Sequence, residues 1–221
     1  MKLSNIGKKM KKNKKNLVYK KRLNILKLSK NFIVNNGWNE NTLKVISEKT
    51  NYSLDELNVL FPEGYKDLLI FSLDEINLQL ENYFKKYNLI RLPLHKRIRK
   101  ILITKINLLN TNKNFYKKNF FFLILPHNSK LLSKQLYKSV DLIWFIAGDH
   151  STDFNYYTKR IILLGIYSRV ILNFFNNNDL KKLEELIDVN LNYVSKIPQL
   201  KKRLNFFKVN IPSIFSILKK I

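Results

Sequence analysis

Residues 67–87, DLLIFSLDEINLQLENYFKKY, decide the fold class of this chain. Their apolar side chains recur at spacings of three and four residues, which places them on one stripe of an α-helix. The stripe consists of Leu69, Leu73, Ile76, Leu80, Tyr83 and Tyr87. The same periodicity predicts helices after Pro93 and over 131–147, 154–175 and 180–194, and no alternating strand pattern of useful length accompanies them. The sequence therefore predicts an all-α fold.

The segment before this helix has helix-turn-helix spacing. A helix over about 21–35 is predicted to stop at Gly37, and a short helix covers 43–49. Ser53 and Glu56 form a capping box that announces a third helix, because each side chain can accept a free backbone amide of the other. This order, followed by a Phe-Pro step at 61–62, resembles the N-terminal domain of TetR-type repressors. We therefore expect a TetR-like helical bundle.

The charge of the chain is large and unevenly distributed. Lys and Arg number 41 against 16 acidic residues, which gives a net charge of +25 and predicts an anionic partner: nucleic acid, an acidic lipid surface or an acidic protein. A base-composition bias of the genome would account for part of this excess equally well. Residues 1–30 carry twelve basic residues and no acidic one, whereas residues 51–81 carry seven acidic residues and one Lys.

The chain has no Cys, which excludes proteins stapled by disulfides and proteins that depend on a thiolate.

The acidic segment bears on DNA binding. In a TetR-type repressor the third helix would face a duplex, and here its predicted exposed positions are Asp55, Glu56 and Asn58. Such a helix would place carboxylates against phosphates, whereas DNA-reading helices need Arg, Lys, Asn or Gln with basic flanks. We therefore interpret this part as a retained helical scaffold and keep a DNA-binding TetR-type transcriptional repressor as the alternative function.

The most informative motif is AGDHSTDFNYYTKR at residues 147–160. Together with LPHN at 125–128 and Trp144, it resembles the lipid-binding proteins of ubiquinone biosynthesis, the ninth coenzyme Q biosynthesis protein family. The resemblance extends over roughly residues 20–195 and is strongest over 125–167. One departure is visible, because Tyr156 stands where the family usually has Trp, which keeps an aromatic ring but loses the indole donor.

The resemblance implies a function as well as a fold. It implies a TetR-like homodimer that has given up specific DNA binding, binds aromatic isoprenoid quinone intermediates and presents them to the di-iron quinone hydroxylase. The protein would be an accessory factor and not an enzyme, with the isoprenoid quinone or its precursor as ligand and no other cofactor. It would lie on the cytoplasmic face of the inner membrane, or on the matrix side in a mitochondrion. The family's contact with the hydroxylase maps here onto Asp141, Asp153, Tyr156, Tyr157 and Arg160.

Helical spacing is compatible with that interface. Asp153, Tyr156 and Arg160 are three and four residues apart, with Tyr157 beside them, so they fall on one stripe of a helix. Aromatic rings with Arg are the composition of an interface hot spot. The alternative is that Tyr157 packs in the core while Asp153 and Arg160 form a surface ion pair. Asp149, Ser151 and Thr152 are interpreted as caps at the start of this helix.

Motifs for catalysis or metal binding do not stand out. The three histidines, His95, His127 and His150, do not have metal-ligand spacing on one helix, and there is no Gly-rich phosphate loop. We therefore predict no catalytic residues and no metal site.

A lipid site would need an apolar cavity between long helices. The aromatic and aliphatic residues of the predicted helices supply candidates, although core packing explains each of them equally well. We predict that the lipid is lined by Phe71, Phe84, Leu102, Phe121, Phe145, Ile162 and Ile166.

The C-terminal residues 197–221 have the pattern of a basic amphipathic helix, which binds in the plane of an anionic membrane surface. Its apolar face would be Leu200, Leu204, Phe207, Ile211, Ile214, Phe215 and Leu218, with Lys201, Lys202 and Arg203 as cations. The alternative is a last bundle helix docked on its own domain. No apolar run of the chain reaches the length of a membrane span.

These patterns divide the chain into four parts. We predict a basic disordered arm over 1–18, a helix-turn-helix-like part over 19–90, a lipid-binding helical bundle over 91–196 and a membrane-binding amphipathic helix over 197–221.

Overall fold

The structure is a computed structural model that describes residues 2–149 and 154–195, with side chains over 16–149 and 156–192. Within these residues every regular element is helical and no strand occurs, so the predicted all-α class is confirmed. The elements are α1 (Lys2–Asn36), α2 (Thr42–Lys49), α3 (Leu54–Leu60), α4 (Tyr65–Phe84), α5 (Leu94–Asn110), α6 (Lys113–Ile124), a 3-10 turn (Pro126–Asn128), α7 (Ser129–Ile146), α8 (Phe154–Asn176) and α9 (Leu180–Ser195).

Most helix boundaries follow local sequence signals. α3 begins after Ser53, whose hydroxyl accepts the backbone N–H of Glu56 at 3.2 Å, as the predicted cap requires. α5 begins directly after Pro93. The sequence does not predict α6 separately, because three successive phenylalanines at 120–122 point in different directions around a helix and mark no single stripe.

The N-terminal segment differs from its prediction. Residues 1–18 are predicted to be a disordered arm, whereas the backbone of α1 is helical from Lys2 onward. Lys is a good helix former, and extending a helix that is already nucleated by the packed turns after residue 19 costs little. The repulsion among the lysines is therefore compatible with helix in this segment.

The end of α7 is fixed by a Schellman motif. Gly148 has φ of +82°, a conformation that favours glycine. Its N–H donates to Phe145 O at 3.0 Å, and the N–H of Asp149 donates to Trp144 O at 3.0 Å. Arg97 of α5 donates from Nη1 to Ala147 O at 2.9 Å and so satisfies another terminal carbonyl. Helix α7 thus ends at the predicted glycine, and Asp149 lies beside the next helix.

One core joins all of these helices. α4 packs against α5 and α7, α8 packs against α7 and α9, and α1 packs against α6. A buried hydrogen-bond relay links three separate elements of this core. Trp38 Nε1 donates to Asn119 Oδ1 at 2.9 Å, and Asn119 Nδ2 donates to Ser72 Oγ at 2.9 Å. The helix-turn-helix-like part and the rest of the bundle therefore share one hydrophobic interior.

None of the helices in the described residues combines the length and apolar character that a membrane crossing requires. The predicted amphipathic helix at 197–221 lies outside the described residues. The boundaries drawn at 90 and 196 remain predictions.

Candidate functional site

The residues of the 147–160 motif converge on a buried cation between α7 and α8. Arg160 is 5% exposed, and its Nε donates to Asp141 Oδ1 at 2.6 Å. Its Nη1 donates to Asp149 Oδ2 at 3.4 Å and to Tyr156 O at 3.2 Å. The guanidinium carbon lies 3.3 Å from the centroid of the Tyr156 ring. Burial lowers the pKa of Arg160, but the hydrogen bond to Asp141 and the two carboxylates outweigh it and leave the pKa raised.

Further contacts extend this cluster along α7. The hydroxyl of Tyr156 donates to Asp141 Oδ1 at 3.3 Å. A hydrogen bond with Tyr156, together with partial burial, raises the pKa of Tyr137 to about 12. On the other side, Lys159 Nζ donates to Asp149 Oδ1 at 2.7 Å. We name Asp141, Asp149, Tyr156 and Arg160 the arginine cluster; it ties the end of α7 to α8.

The predicted interface residues separate into two groups. Arg160 and Tyr156 turn toward α7, whereas Tyr157 is 60% exposed. The alternative in which Tyr157 packs in the core is therefore wrong. Arg160 is not at the surface either, since its side chain is enclosed by the arginine cluster. Asp153 lies outside the described residues.

This surface contains one exposed residue that the sequence pattern does not predict. Ile161 is 61% exposed and lies one helical turn after Tyr157. The available signal was its spacing of four residues from Tyr157, but an isoleucine at that spacing equally indicates a core position. We name Tyr157 and Ile161 the exposed patch. Asp141 is half-exposed and belongs to both the surface and the arginine cluster.

An open groove of about 330 Å³ lies between α4 and α7, next to the arginine cluster. Asp141 and the exposed ring of Phe145 line its α7 side. On its α4 side lie Leu78 and Asp74, and Asp74 pairs with Lys138 across the groove at 2.6 Å. The groove thus combines apolar side chains with charged ones.

A second, internal cavity of about 60 Å³ lies between α4, α5, α6, α7 and α8. Its walls are largely aliphatic and aromatic, and three buried polar side chains also line it: Asn77, Lys105 and Gln135. The predicted lipid-lining residues are elsewhere. Phe71, Phe84, Leu102 and Ile166 are buried outside the cavity lining, Ile162 is half-buried, Phe121 is exposed, and Phe145 lines the α4/α7 groove. Periodicity identifies the buried face of a helix but not the place where facing helices leave space.

The surface of α3 agrees with the scaffold interpretation. Asp55 and Asn58 are exposed, and Val59 is 79% exposed. The Glu56 carboxylate pairs with Lys21 of α1 at 2.6 Å. An acidic and apolar surface on α3 does not favour contact with DNA phosphates.

Comparisons with known proteins place this geometry in context. The family model described as COQ9 matches residues 130–197, which contain the arginine cluster and the exposed patch. The chain is 27% identical over 151 residues to the ubiquinone biosynthesis protein COQ9, mitochondrial, of Bos taurus, and 26% identical over 151 residues to its Homo sapiens counterpart. Each match covers 65% of this chain and 47% of the relative, so it spans about half the length of those proteins.

The fold has a solved counterpart. A TetR transcriptional regulator from Nitrosomonas europaea superposes with a TM-score of 0.65 at 13% sequence identity, covering 79% of this chain and 97% of that one. At this identity the likeness concerns the fold alone. Taken together, the family model, the curated relatives and the shared fold confirm the resemblance: the chain is similar to the COQ9 proteins and has a TetR-like fold.

Proposed function

We propose that this protein serves ubiquinone biosynthesis as a lipid-binding accessory factor, which binds an aromatic isoprenoid intermediate and presents it to the di-iron quinone hydroxylase. Its similarity to COQ9 proteins supports the pathway, because the relatives are named ubiquinone biosynthesis proteins. The internal cavity and the α4/α7 groove support the binding of an apolar ligand.

One observation carries the proposed contact with the hydroxylase. The family model covers the α7–α8 pair, and in this pair the buried Arg160 fixes Asp141 and Tyr156 while leaving Tyr157 and Ile161 exposed. Exposed Tyr and Ile on a rigid helix supply apolar contact area at low cost in side-chain entropy. Arg160 then acts as a positioning residue, and the exposed patch makes the contact.

The contact is tested with a double variant, Tyr157→Ala with Ile161→Ala. Both side chains are exposed, so the variant is expected to fold and to lose about tenfold or more in affinity for the hydroxylase in a direct binding measurement. Leu172→Ala serves as the matched control, because Leu172 is a further exposed apolar residue of α8. Equal hydroxylase affinity in the double variant and the wild type would contradict the proposed contact.

Ligand binding is tested by native mass spectrometry with lipid extraction on protein purified from a ubiquinone-making host. A co-purifying quinone or isoprenoid precursor is expected. Lipids that co-purify without an isoprenoid would contradict the proposed ligand class. An empty protein that also fails to take up added isoprenoid would contradict the binding function itself.

Membrane association is a separate part of the proposal. It rests on the basic amphipathic pattern of residues 197–221 and would keep the protein peripheral at the inner membrane, on the matrix side in a mitochondrion. Deleting residues 197–221 is expected to abolish flotation with anionic liposomes. Unchanged flotation would remove the anchor from the proposal. The homodimer implied by the resemblance is tested by sedimentation of the same samples.

The shared fold keeps a DNA-binding repressor as the alternative function. Tight, sequence-dependent binding to the promoter region of its own gene would favour that function. The acidic surface of α3 leads us to expect salt-sensitive, nonspecific binding at most.

A further inference from the structure

Lys105 is buried in the middle of α5 without an anionic partner of its own. It is 2% exposed, and its Nζ donates to Asn77 Oδ1 at 2.8 Å. The same Nζ lies 4.9 Å from the centroid of the Tyr167 ring. Both of these groups are uncharged, and burial lowers the pKa of Lys105 to about 7. A buried ammonium group with two such partners retains hydrogen-bonding capacity, since it has three N–H donors.

Two further polar atoms lining the same cavity lack a partner. They are Asn77 Nδ2 and Gln135 Oε1, and both side chains are buried. Within the described residues only three buried side-chain polar atoms are unpartnered, and these are two of them. Buried polar groups in native proteins are nearly always hydrogen-bonded, so a pair of exceptions on one cavity calls for an occupant.

The cavity has room for the oxygen-bearing end of a ligand. Its volume of about 60 Å³ is several times the roughly 15 Å³ that a single water needs, and the body of the ligand would lie in the adjoining groove of about 330 Å³. Tyr116, Ser139 and Tyr167 also contribute to the lining, and the rest of the wall is apolar, including Leu109, Leu123 and Phe175. The lining therefore matches a molecule with one polar end and an apolar body.

Asn77 also marks a way in. It lines both the internal cavity and the open groove between α4 and α7. The α7 wall of the cavity consists partly of Leu132, Leu136 and Ser139, which are only half-buried. A ligand lying in the groove would thus reach the polar end of the cavity past Asn77.

We propose that Lys105, Asn77 and Gln135 form the polar end of a binding site for an apolar small molecule that carries an oxygen acceptor, entered from the α4/α7 groove. The ammonium group of Lys105 and the Nδ2 amide of Asn77 donate to the ligand oxygen. Gln135 Oε1 accepts from a ligand hydroxyl where one is present. A phenol or quinone ring and a fatty carboxylate share this chemistry. The proposal rests on the proposed lipid-binding function and assigns the residues that recognise the ligand's oxygen.

The test is calorimetric titration of the full chain with three small probes: 4-methylphenol, hexanoate and toluene. Toluene matches the phenol in shape but lacks the oxygen. We expect 4-methylphenol or hexanoate to bind about tenfold tighter than toluene, as a hydrogen bond to a charged group predicts. A preference for the phenol indicates a ring ligand, and a preference for hexanoate indicates a fatty chain.

Variants assign the effect to residues. Lys105→Met is expected to remove the preference over toluene, so that the three probes bind with similar affinity. Lys96→Met is the matched control, since Lys96 is an exposed residue of the same helix. Gln135→Leu is expected to weaken 4-methylphenol more than hexanoate, because only the phenol offers a hydroxyl proton.

The outcomes separate this inference from the proposed function. If toluene and the oxygenated probes bind with equal affinity, and the affinities are the same in Lys105→Met, the proposed polar end is wrong. Failure of all three probes to bind would overturn it as well, and an isoprenoid recovered by lipid extraction would then leave the proposed function standing. Oxygen-dependent binding without any recoverable isoprenoid would uphold the site and count against the proposed isoprenoid ligand.

Discussion

Two regions of the bundle each bury one cation, and they treat it differently. Between α7 and α8, Arg160 meets the carboxylates of Asp141 and Asp149 and the ring of Tyr156. Between α4, α5 and α8, Lys105 meets an amide oxygen and an aromatic ring. The pKa of Arg160 is raised despite its burial, whereas burial lowers the pKa of Lys105 to about 7. Burial thus lowers the pKa of both groups, and only the carboxylate partners of Arg160 outweigh it.

The two sets of partners show which of the two cations has its hydrogen bonds satisfied within the protein. An arginine held by carboxylates satisfies its own hydrogen bonds and fixes the helices that carry them, so it serves the structure and the surface beside it. A lysine facing a cavity and unpartnered amide atoms carries a desolvation cost that an occupant can offset. We therefore expect removal of the arginine to weaken the fold and removal of the lysine to strengthen it.

The largest effect is expected for Arg160→Met. The variant takes one cation away from Asp141 and from the buried carboxylate of Asp149, which should lower the free energy of unfolding by about 3 kcal/mol in urea titration. Arg169→Met, at an exposed arginine of the same helix, is the control and should change it by no more than about 0.5 kcal/mol. Similar losses in the two variants would show that the arginine cluster does not stabilise the fold.

Lys105→Met is expected to act in the opposite direction. Replacing an uncompensated buried ammonium by an apolar side chain of similar length should raise the free energy of unfolding by about 2 kcal/mol at pH 7. Lys96→Met should leave it unchanged. A less stable Lys105→Met protein would mean that Asn77 and Tyr167 already compensate the charge of the lysine.

The increase in the free energy of unfolding caused by Lys105→Met should also depend on pH. The folded-state pKa is about 7 and the unfolded value is near 10.5, so between these values the unfolded wild type binds more protons and its stability rises with pH. Tyr116 and Tyr167 also line the cavity, and burial raises the pKa of each, so their effects begin only near pH 10. Melting curves at pH 6.5, 8 and 9.5 should therefore show that the difference in melting temperature between Lys105→Met and the wild type decreases as the pH rises. A difference that does not change with pH would contradict a lysine that titrates in this range.

Asn119 provides a neutral buried group with partners at both ends of its amide. Asn119→Leu would leave the indole N–H of Trp38 without its acceptor, which should cost about 1 kcal/mol in thermal or urea unfolding. Asn114→Leu, at an exposed asparagine of the same helix, is the control. No loss in Asn119→Leu would show that water or a neighbour readily replaces the relay.

The smallest effect on stability is expected at the exposed patch. Tyr157→Ala should change the free energy of unfolding by no more than about 0.5 kcal/mol, since its ring is largely in solvent. Tyr156→Ala should cost more, because it removes the ring below the guanidinium of Arg160 and a hydrogen bond to Asp141. If the two neighbouring tyrosines proved equally important for stability, the division into an inward and an outward residue would be wrong.

Local signals predict the helices well and the sites only in part. Gly148 stops α7 and Ser53 caps α3 because those signals act over a few residues. The predicted interface stripe does not distinguish inward from outward side chains, because residues three and four apart span both the inner and the outer edge of one helix face. Arg160 accordingly turns to α7, whereas Tyr157 turns to solvent. The predicted lipid-lining residues share only their apolar character, and none of them lines the internal cavity.

Local sequence signals account for the all-α class, most helix ends and the similarity carried by residues 147–160, since all three depend on neighbours along the chain. The packing of the helices determines that Arg160 is enclosed by Asp141 and Asp149, that Ile161 is exposed, and that Lys105 shares a cavity with Asn77 and Gln135. Those residues lie on different helices or on different sides of one helix. Their surroundings therefore depend on how the helices pack, which the periodicity of a single helix does not contain.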